Sequence, residues 1–386
     1  MQYELNEAQR GVQAKARRVA RDKVAPGADQ REECAEYPRD LVDLFACEGF
    51  FSLGVPQEYG GDSMGLLAQC LMVEEVSQVC NNASAILTLV SLGAVPIKLM
   101  GSEEQKQRYL PRIARGEALS AFGLTEPGSG SDSLSMKTKA VVEGEGYVVN
   151  GQKCFISQAD VAHLMLLFAR TSEGKGTRDI SAFMVELDPE NGTPGYQVVR
   201  AERKMSMRAV HTCQIVLDDL RLPASAILGR EGQGFYLAMK TLDESRLPVA
   251  AQGVGIAQGA LEIAADYAQQ RVQFGSPISA FQGIQFMIAD MATQVEAARQ
   301  LTYMAASHYE QGGPRVTMYS AMAKLLSSDT AMKVTTDAVQ VLGGCGFTQE
   351  FPAERLMRDA KATQIYEGTN QIQRIIIARR YMGGGG

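Results

Sequence analysis

The chain has 386 residues, 45% of them apolar and 21% charged, which excludes the disordered and collagen-like classes and leaves room for two or three domains at about 150 residues each. Lys and Arg total 38 against 44 Asp and Glu, a formal net charge of −6; this excludes the broad basic footprint of a nucleic-acid binder, though not a local basic pocket for a phosphate group. Seven cysteines form no CxxC pair, and His163, His211 and His308 are not spaced as zinc ligands, so the pattern is one of reduced thiols in a cytoplasmic protein.

The opening MQYELNE is too acidic for a signal or transit peptide. Residues 1–117 then read as a helical domain. Leu5, Ala8, Val12, Ala16 and Val19 recur at three- and four-residue spacing, with Lys15, Arg17, Arg18, Arg21 and Lys23 as the solvated side and Pro26-Gly27 as the stop. Apolar stretches follow at 39–48, 64–79, 83–100 and 103–114. The longest apolar run, Ala83–Ile97, has 15 residues and is interrupted by Ser84, Thr88, Ser91 and Pro96. A spanning helix needs about 20, so a buried helix is expected and no membrane insertion.

Residues 118–228 read as a β domain. Tyr147–Val149 and Cys154–Ile156 flank Asn150-Gly151, which predicts a hairpin with a tight turn at that dipeptide. Strands are also expected at 164–169, 180–187, 196–199 and 214–217, and with no helices between them an antiparallel barrel or sandwich is favoured over a doubly wound parallel sheet.

From 229 to 386 the chain is helical again. Ile284, Ile288, Met291, Val295 and Ala298 form one seam; Met318, Met322, Leu325 and Met332 form another; together they predict a four-helix bundle. Gly383–Gly386 reads as a flexible tail.

Three local patterns bear on chemistry. Gly253, Gly255 and Gly259 nearly match a dinucleotide fingerprint, but Gln258 stands at its third glycine and no strand precedes it, so close helix contact is the better reading. In Thr125–Asp132, interleaved glycines and hydroxyls make either a turn or a cradle for an anion. In Gln364–Arg374, Glu367 precedes Gly368 and the helix-capping candidate Thr369, and such a carboxylate either complements a helix dipole or does chemistry.

Taken together, FGLTEPGSGSD (122–132), KCFIS (153–157), RVQFGSPISAFQ (271–282), QVLGGCGF (340–347) and QIYEGTNQIQR (364–374) resemble the acyl-CoA dehydrogenase family in order and spacing across essentially the whole chain, in particular its short-chain and branched-chain bacterial members. The resemblance implies the α–β–α fold of that family and a flavoenzyme carrying FAD. It implies dehydrogenation of an acyl-CoA thioester to the 2-enoyl-CoA: a base takes the Cα proton, the Cβ hydrogen leaves as hydride to flavin N5, and electrons pass to electron-transfer flavoprotein. No amino acid accepts a hydride, so the cofactor is obligatory.

By the same resemblance Glu367 is the base, and its own N–H is an oxyanion donor. Phe122, Leu124, Thr125, Gly130, Ser131, Phe155, Ile156 and Ser157 match flavin contacts, with Phe155 and Ser157 standing where relatives carry Trp and Thr. Arg271, Phe274, Gln282, Gln340, Val341, Gly343 and Gly344 match contacts to the adenosine-diphosphate part of a neighbouring subunit's FAD, and Thr369 and Gln371 a further contact; sites that cross subunits imply a homotetramer. Ser131, Asp243, Arg246, Tyr366 and Gly368 match substrate contacts. Some members place the base one residue before the arginine that matches Arg246; here that residue is Ser245, which cannot serve, and Glu244 is two removed. Ala83 stands where glutaryl-CoA members carry an arginine, which disfavours a glutaryl substrate and leaves short, branched and cyclic acyl groups open. The alternatives are the same site run as an enoyl-CoA reductase or an acyl-CoA oxidase, and a non-catalytic scaffold, for which Glu367 would have no use.

Overall fold

A computed structural model describes residues 5–383. Most of the expected glycine tail, from Gly384 on, and the opening four residues lie outside that range. The first helix, α1 (Glu7–Val19), starts from a reciprocal cap in which the Asn6 side chain accepts from the Gln9 N–H and the Gln9 side chain from the Asn6 N–H. Pro26-Gly27 does not stop it as expected. The helix widens over Ala20–Val24, tightens over Ala25–Gly27 and runs on into α2 (Ala28–Cys34). Pro26 sits in the first turn of the tight segment, where its missing N–H has no partner to lose.

Helices α3 (Arg39–Cys47), α4 (Gly65–Ser77), α5 (Asn81–Met100) and α6 (Glu103–Ala114) complete the N-terminal layer. Helix α5 is long and apolar enough to cross a membrane, but 67% of its apolar window is buried inside the protein. It is a core helix, with Ile86, Leu87 and Ile97 essentially inaccessible.

The β layer comprises β1 (Ser120–Gly123), β2 (Lys139–Glu143), β3 (Gly146–Ser157), β4 (Leu164–Arg170), β5 (Ile180–Glu186), β6 (Tyr196–Ala201) and β7 (Thr212–Pro223) in one sheet. Pairing is antiparallel except where β4 runs parallel to β1 and, at one position, to β2. The hairpin expected at Asn150-Gly151 is absent. There β3 runs straight through as a single strand and bulges, and the reversal occurs two residues before it starts, at Gly144-Glu145. A Cβ on Gly151 would lie 2.7 Å from the Thr138 Cα, so the glycine serves a close backbone approach and not a turn.

The C-terminal layer is α7 (Gly234–Gln270), α8 (Gln282–Glu310), α9 (Val316–Leu342), the short α10 (Gly344–Phe347), α11 (Ala353–Thr363) and α12 (Asn370–Tyr381), with a small ribbon β8 (Val272–Gln273) and β9 (Ser276–Pro277) between α7 and α8. On α8 the predicted seam holds, with Met291, Val295 and Ala298 buried. On α9 only Met318 of the predicted four is buried; the inward face is instead Ser320, Lys324, Ser327, Ser328 and Thr335 among alanines. The cause is proximity. A Cβ on Gly253 of α7 would lie 3.1 Å from the Ser327 backbone, and one on Gly255 or Gly259 would lie 3.0 Å from the Glu74 or Gln78 carbonyl carbon. These three glycines let helices touch, and hydrophobic periodicity cannot reveal a face made of small polar residues.

Candidate active site

The turn between α11 and α12 carries two consecutive left-handed residues, Glu367 (φ 57°) and Gly368 (φ 88°). Glycine adopts this freely, whereas glutamate does so only where its surroundings enforce it. The enforcement is visible in the carbonyls. The oxygen of Glu367 accepts from Arg246 Nε (3.2 Å) and Gln373 Nε2 (3.1 Å), and that of Gly368 from Gln373 Nε2 (2.9 Å) and Lys324 Nζ (2.9 Å). Three helices, α7, α9 and α12, thus hold one turn. Thr369 then caps α12, its Oγ1 accepting from the Ile372 N–H at 3.3 Å, and Gln371 is exposed in the first turn beside it.

The Glu367 carboxylate accepts from Ser245 Oγ at 2.8 Å. Desolvation pushes its pKa up from the ordinary carboxylate range, and Ser245, Arg246 and Lys324 pull part of that rise back. A carboxylate so placed is a stronger base than one in water. Among the described residues nothing accepts from the N–H of Glu367 or of Gly368. Beneath the turn Arg246 pairs with Asp243 (3.0 Å), whose other oxygen accepts from Thr317 (2.6 Å), and the Tyr366 hydroxyl donates to Gln252.

A second group forms where β3 meets the 122–131 loop. The Cys154 N–H donates to the Thr125 carbonyl at 3.0 Å. Glu126, buried, accepts from the Thr138 N–H (3.0 Å) and Lys153 Nζ (2.8 Å), and Lys153, with no exposure at all, also donates to the Leu124 carbonyl. Burial lowers the Lys153 ammonium to about 8 against the pull of Glu126. Phe122 packs on Phe168 with ring centres 5.1 Å apart, and Leu124 lies against the same core. Gly130 and Ser131 are exposed at the loop tip. Ile156 turns into the β core and Ser157 is paired opposite Thr212, whereas Phe155, on the second bulge at φ 56°, is 66% exposed.

A third group lies far away. At about 1.5 Å per residue of helix, Arg271 at the end of α7 is about 37 Å from Arg246. Its guanidinium has no carboxylate in ion-pair range among the described residues. Beside it Phe274 is 97% exposed at φ 53° and meets Phe281 edge-on. Gln282 opens α8, Gln340 is exposed near the end of α9, Val341 is buried behind it, and Gly343 and Gly344 have open space where a Cβ would be.

The expected residues therefore fall into three clusters, around Glu367, around Phe155 and around Arg271. An elongated flavin dinucleotide fits what they present: a strained, exposed aromatic for a planar ring, a free guanidinium for a diphosphate, and glycine backbone open to close approach. Ser245, Lys324, Gln373, Lys153 and Glu126 have no role in the sequence reading. Glu126, Lys153 and Gln373 stand inside the resembling segments and Ser245 beside Arg246, whereas Lys324 is marked only as a lysine inside a helix seam. His211, left without a role, bonds Asp160 and the Ala35 carbonyl (3.0 Å) and ties the β layer to the N-terminal layer.

Comparison with known proteins covers the whole chain. Family models described as acyl-CoA dehydrogenase N-terminal, middle and C-terminal domains match residues 6–117, 121–220 and 232–382. The chain is 48% identical over 377 residues to cyclohex-1-ene-1-carbonyl-CoA dehydrogenase of Geobacter metallireducens, covering 97% of this chain and 98% of the relative. It superposes on butyryl-CoA dehydrogenase from Megasphaera elsdenii with a TM-score of 0.95 at 40% identity, covering 99% of this chain and 100% of that one. A chain from a structure described as the electron transferring flavoprotein of Acidaminococcus fermentans matches with a TM-score of 0.96 at 44% identity, over 99% of this chain and 100% of that one.

Proposed function

The chain belongs to the acyl-CoA dehydrogenase family, oxidoreductases that act on a CH–CH bond, and from that premise we propose that it oxidises an acyl-CoA thioester to the 2-enoyl-CoA with FAD and Glu367 as the base. The observation that carries this reading is the rigid left-handed turn that presents a desolvated carboxylate and an unbonded N–H side by side. The Cα proton of a thioester becomes acidic only when the carbonyl oxygen is polarised. The Glu367 N–H supplies that polarisation while the Glu367 carboxylate takes the proton. Bound FAD supplies the acceptor for the hydrogen that leaves Cβ with its electron pair.

Phe155, Ile156 and Ser157, with Phe122, Leu124, Thr125 and Gly130, hold the flavin ring; Thr369 and Gln371 add contacts near the base. Ser131, Asp243, Arg246, Tyr366 and Gly368 bind and orient the thioester. Arg271, Phe274, Gln282, Gln340, Val341, Gly343 and Gly344 hold the diphosphate end of a neighbour's FAD within a homotetramer, a reading supported by the length of α7, which separates them from the base of their own chain. Electrons leave to electron-transfer flavoprotein, in the cytoplasm. The chain works as three units, 1–117, 118–228 and 229–386.

Purified protein is expected to carry about one FAD per chain and to bleach anaerobically with one or more of butyryl-, 2-methylbutyryl- and cyclohexanecarbonyl-CoA. Reoxidation by electron-transfer flavoprotein faster than by oxygen supports a dehydrogenase over an oxidase. Protein that holds FMN, or that holds FAD and is bleached by no acyl-CoA, defeats the proposal.

A further inference from the structure

Lys324 is a fully buried lysine in the middle of α9, and the proton abstraction described above does not use it. Burying an ammonium is costly unless it is paired, yet among the described residues no carboxylate lies in ion-pair contact with it. Its Nζ instead donates to the Gly368 carbonyl (2.9 Å) and to Asn370 Oδ1 (2.8 Å), both on the turn that carries Glu367. Asn370 is fixed in its own right: its Nδ2 donates to Ser328 Oγ (2.9 Å) and Asp329 Oδ1 (2.7 Å), both on α9. A neutral donor of similar length would satisfy the same two acceptors without the burden of charge. The charge therefore calls for its own explanation.

We propose that Lys324 is a positioning residue for the base: it locks the Gly368 carbonyl, and with it the left-handed Glu367–Gly368 pair, so that carboxylate and N–H stay aimed together, and its charge keeps the Glu367 carboxylate ionised. This rests on the reading of Glu367 as the base. The charges that act on Lys324 are Glu367 in the turn, Arg246 on α7 and Asp329 on α9 itself. Arg246 is paired with Asp243, and Asp329 with Arg374 of α12; helices α8 and α11 add no charge that acts on it. Burial lowers the ammonium to about 7, partly opposed by Glu367. As the pH falls through neutrality Lys324 therefore gains its charge, and that charge opposes protonation of Glu367, whose own pKa burial raises.

The test compares wild type, Lys324→Met and Lys324→Arg as FAD-loaded holoenzymes. Two quantities are followed across pH: the rate of flavin bleaching, and anaerobic exchange of the Cα hydrogen with D2O by mass spectrometry. The probe is whichever of butyryl-, 2-methylbutyryl- and cyclohexanecarbonyl-CoA bleaches the wild type fastest. In Lys324→Met the acid limb of both profiles is expected to move to higher pH by about one unit, with rates at its plateau roughly tenfold lower. Lys324→Arg, which cannot lose its charge, is expected to restore the limb to the wild-type position or below. A Lys324→Met protein slower at every pH but with an unmoved limb overturns the proposal and leaves Lys324 a structural prop. If Lys324→Met does not fold, Lys324→Gln, which keeps one donor for Gly368, carries the same prediction for the limb. Wild-type holoenzyme that neither bleaches nor exchanges with any of the three acyl-CoAs overturns the reading of Glu367 itself.

Discussion

The two ends of the long helix α7 present opposite kinds of surface. Near Arg246 the charged side chains are matched within the chain, and only the turn's own N–H groups stay open: Arg246 holds Asp243 and the Glu367 carbonyl, and Ser245 holds the Glu367 carboxylate. Near Arg271 the guanidinium is unpaired among the described residues, Phe274 stands in solvent, and glycines 343 and 344 border open space. The first end is finished by its own chain, and the second is arranged to receive something. The lesson is that proton abstraction demands rigidity fixed in advance, whereas holding an extended dinucleotide demands a surface that completes itself on binding.

The sharpest way to break this comparison is at the finished end. Glu367→Gln keeps the shape of the side chain and the N–H but removes the basic oxygen. Anaerobic stopped-flow bleaching is expected to slow by about 10² to 10⁴ while FAD content stays at the wild-type level. A variant that bleaches at nearly the wild-type rate would transfer the role of base to another acid, with Glu244 the first to replace, although Lys98 (2.9 Å) and Tyr309 (3.0 Å) already engage its carboxylate.

The next largest effect is expected between the two segments proposed to contact the flavin. Lys153→Met leaves Glu126 buried without its ammonium, and removal of one partner from a buried pair typically destabilises by about 3 kcal/mol. Urea unfolding is the measurement; a change below about 0.5 kcal/mol would mean that the pair does not brace the loop. At the open end, Arg271→Ala is expected to weaken FAD binding about tenfold, the loss of one charge-assisted contact. Equilibrium dialysis against FAD reads this directly, and unchanged affinity would remove Arg271 from the diphosphate site.

The smallest effect concerns pH. Ser245 donates to Glu367 and lowers its pKa. Removing the hydroxyl in Ser245→Ala raises it, so the deprotonated base is lost sooner as the pH falls. The acid limb of the bleaching profile is expected to move up by about half a unit, with the plateau above neutrality unchanged. A limb displaced to lower pH would contradict the sign of that interaction.

Much of this layout was legible in the residues, and the parts that were not share a cause. The order of helical, strand and helical segments follows from hydrophobic period, and α8 buries the seam its spacing predicts. Asn150-Gly151 misled because the dipeptide marks a turn only where the strands reverse, and here Gly151 answers to the closeness of Thr138 across the sheet. The inward face of α9 was hidden because serines, threonines and a lysine line it. Lys153 lies inside a strand pattern and Lys324 inside a helix seam, but only three-dimensional neighbours turn such a lysine into a brace. Glu367 stood out through its segment's resemblance to a family; its left-handed backbone could not be read from a sequence in which the next residue is the glycine.

We propose that each base works on a flavin whose far end is held by another copy of the chain. This is tested most directly by mixing two damaged chains, Glu367→Gln and Arg271→Ala, at limiting FAD. Neither assembly alone should turn over acyl-CoA well, one lacking the base and the other retaining too little flavin. Chains dissociated and reassembled together should contain sites that join Glu367 of one copy to Arg271 of the other. Activity at limiting FAD should then rise well above the sum of the two parents. If Arg271 instead serves the site of its own chain, no mixed site is intact, and activity no greater than that sum would contradict the account.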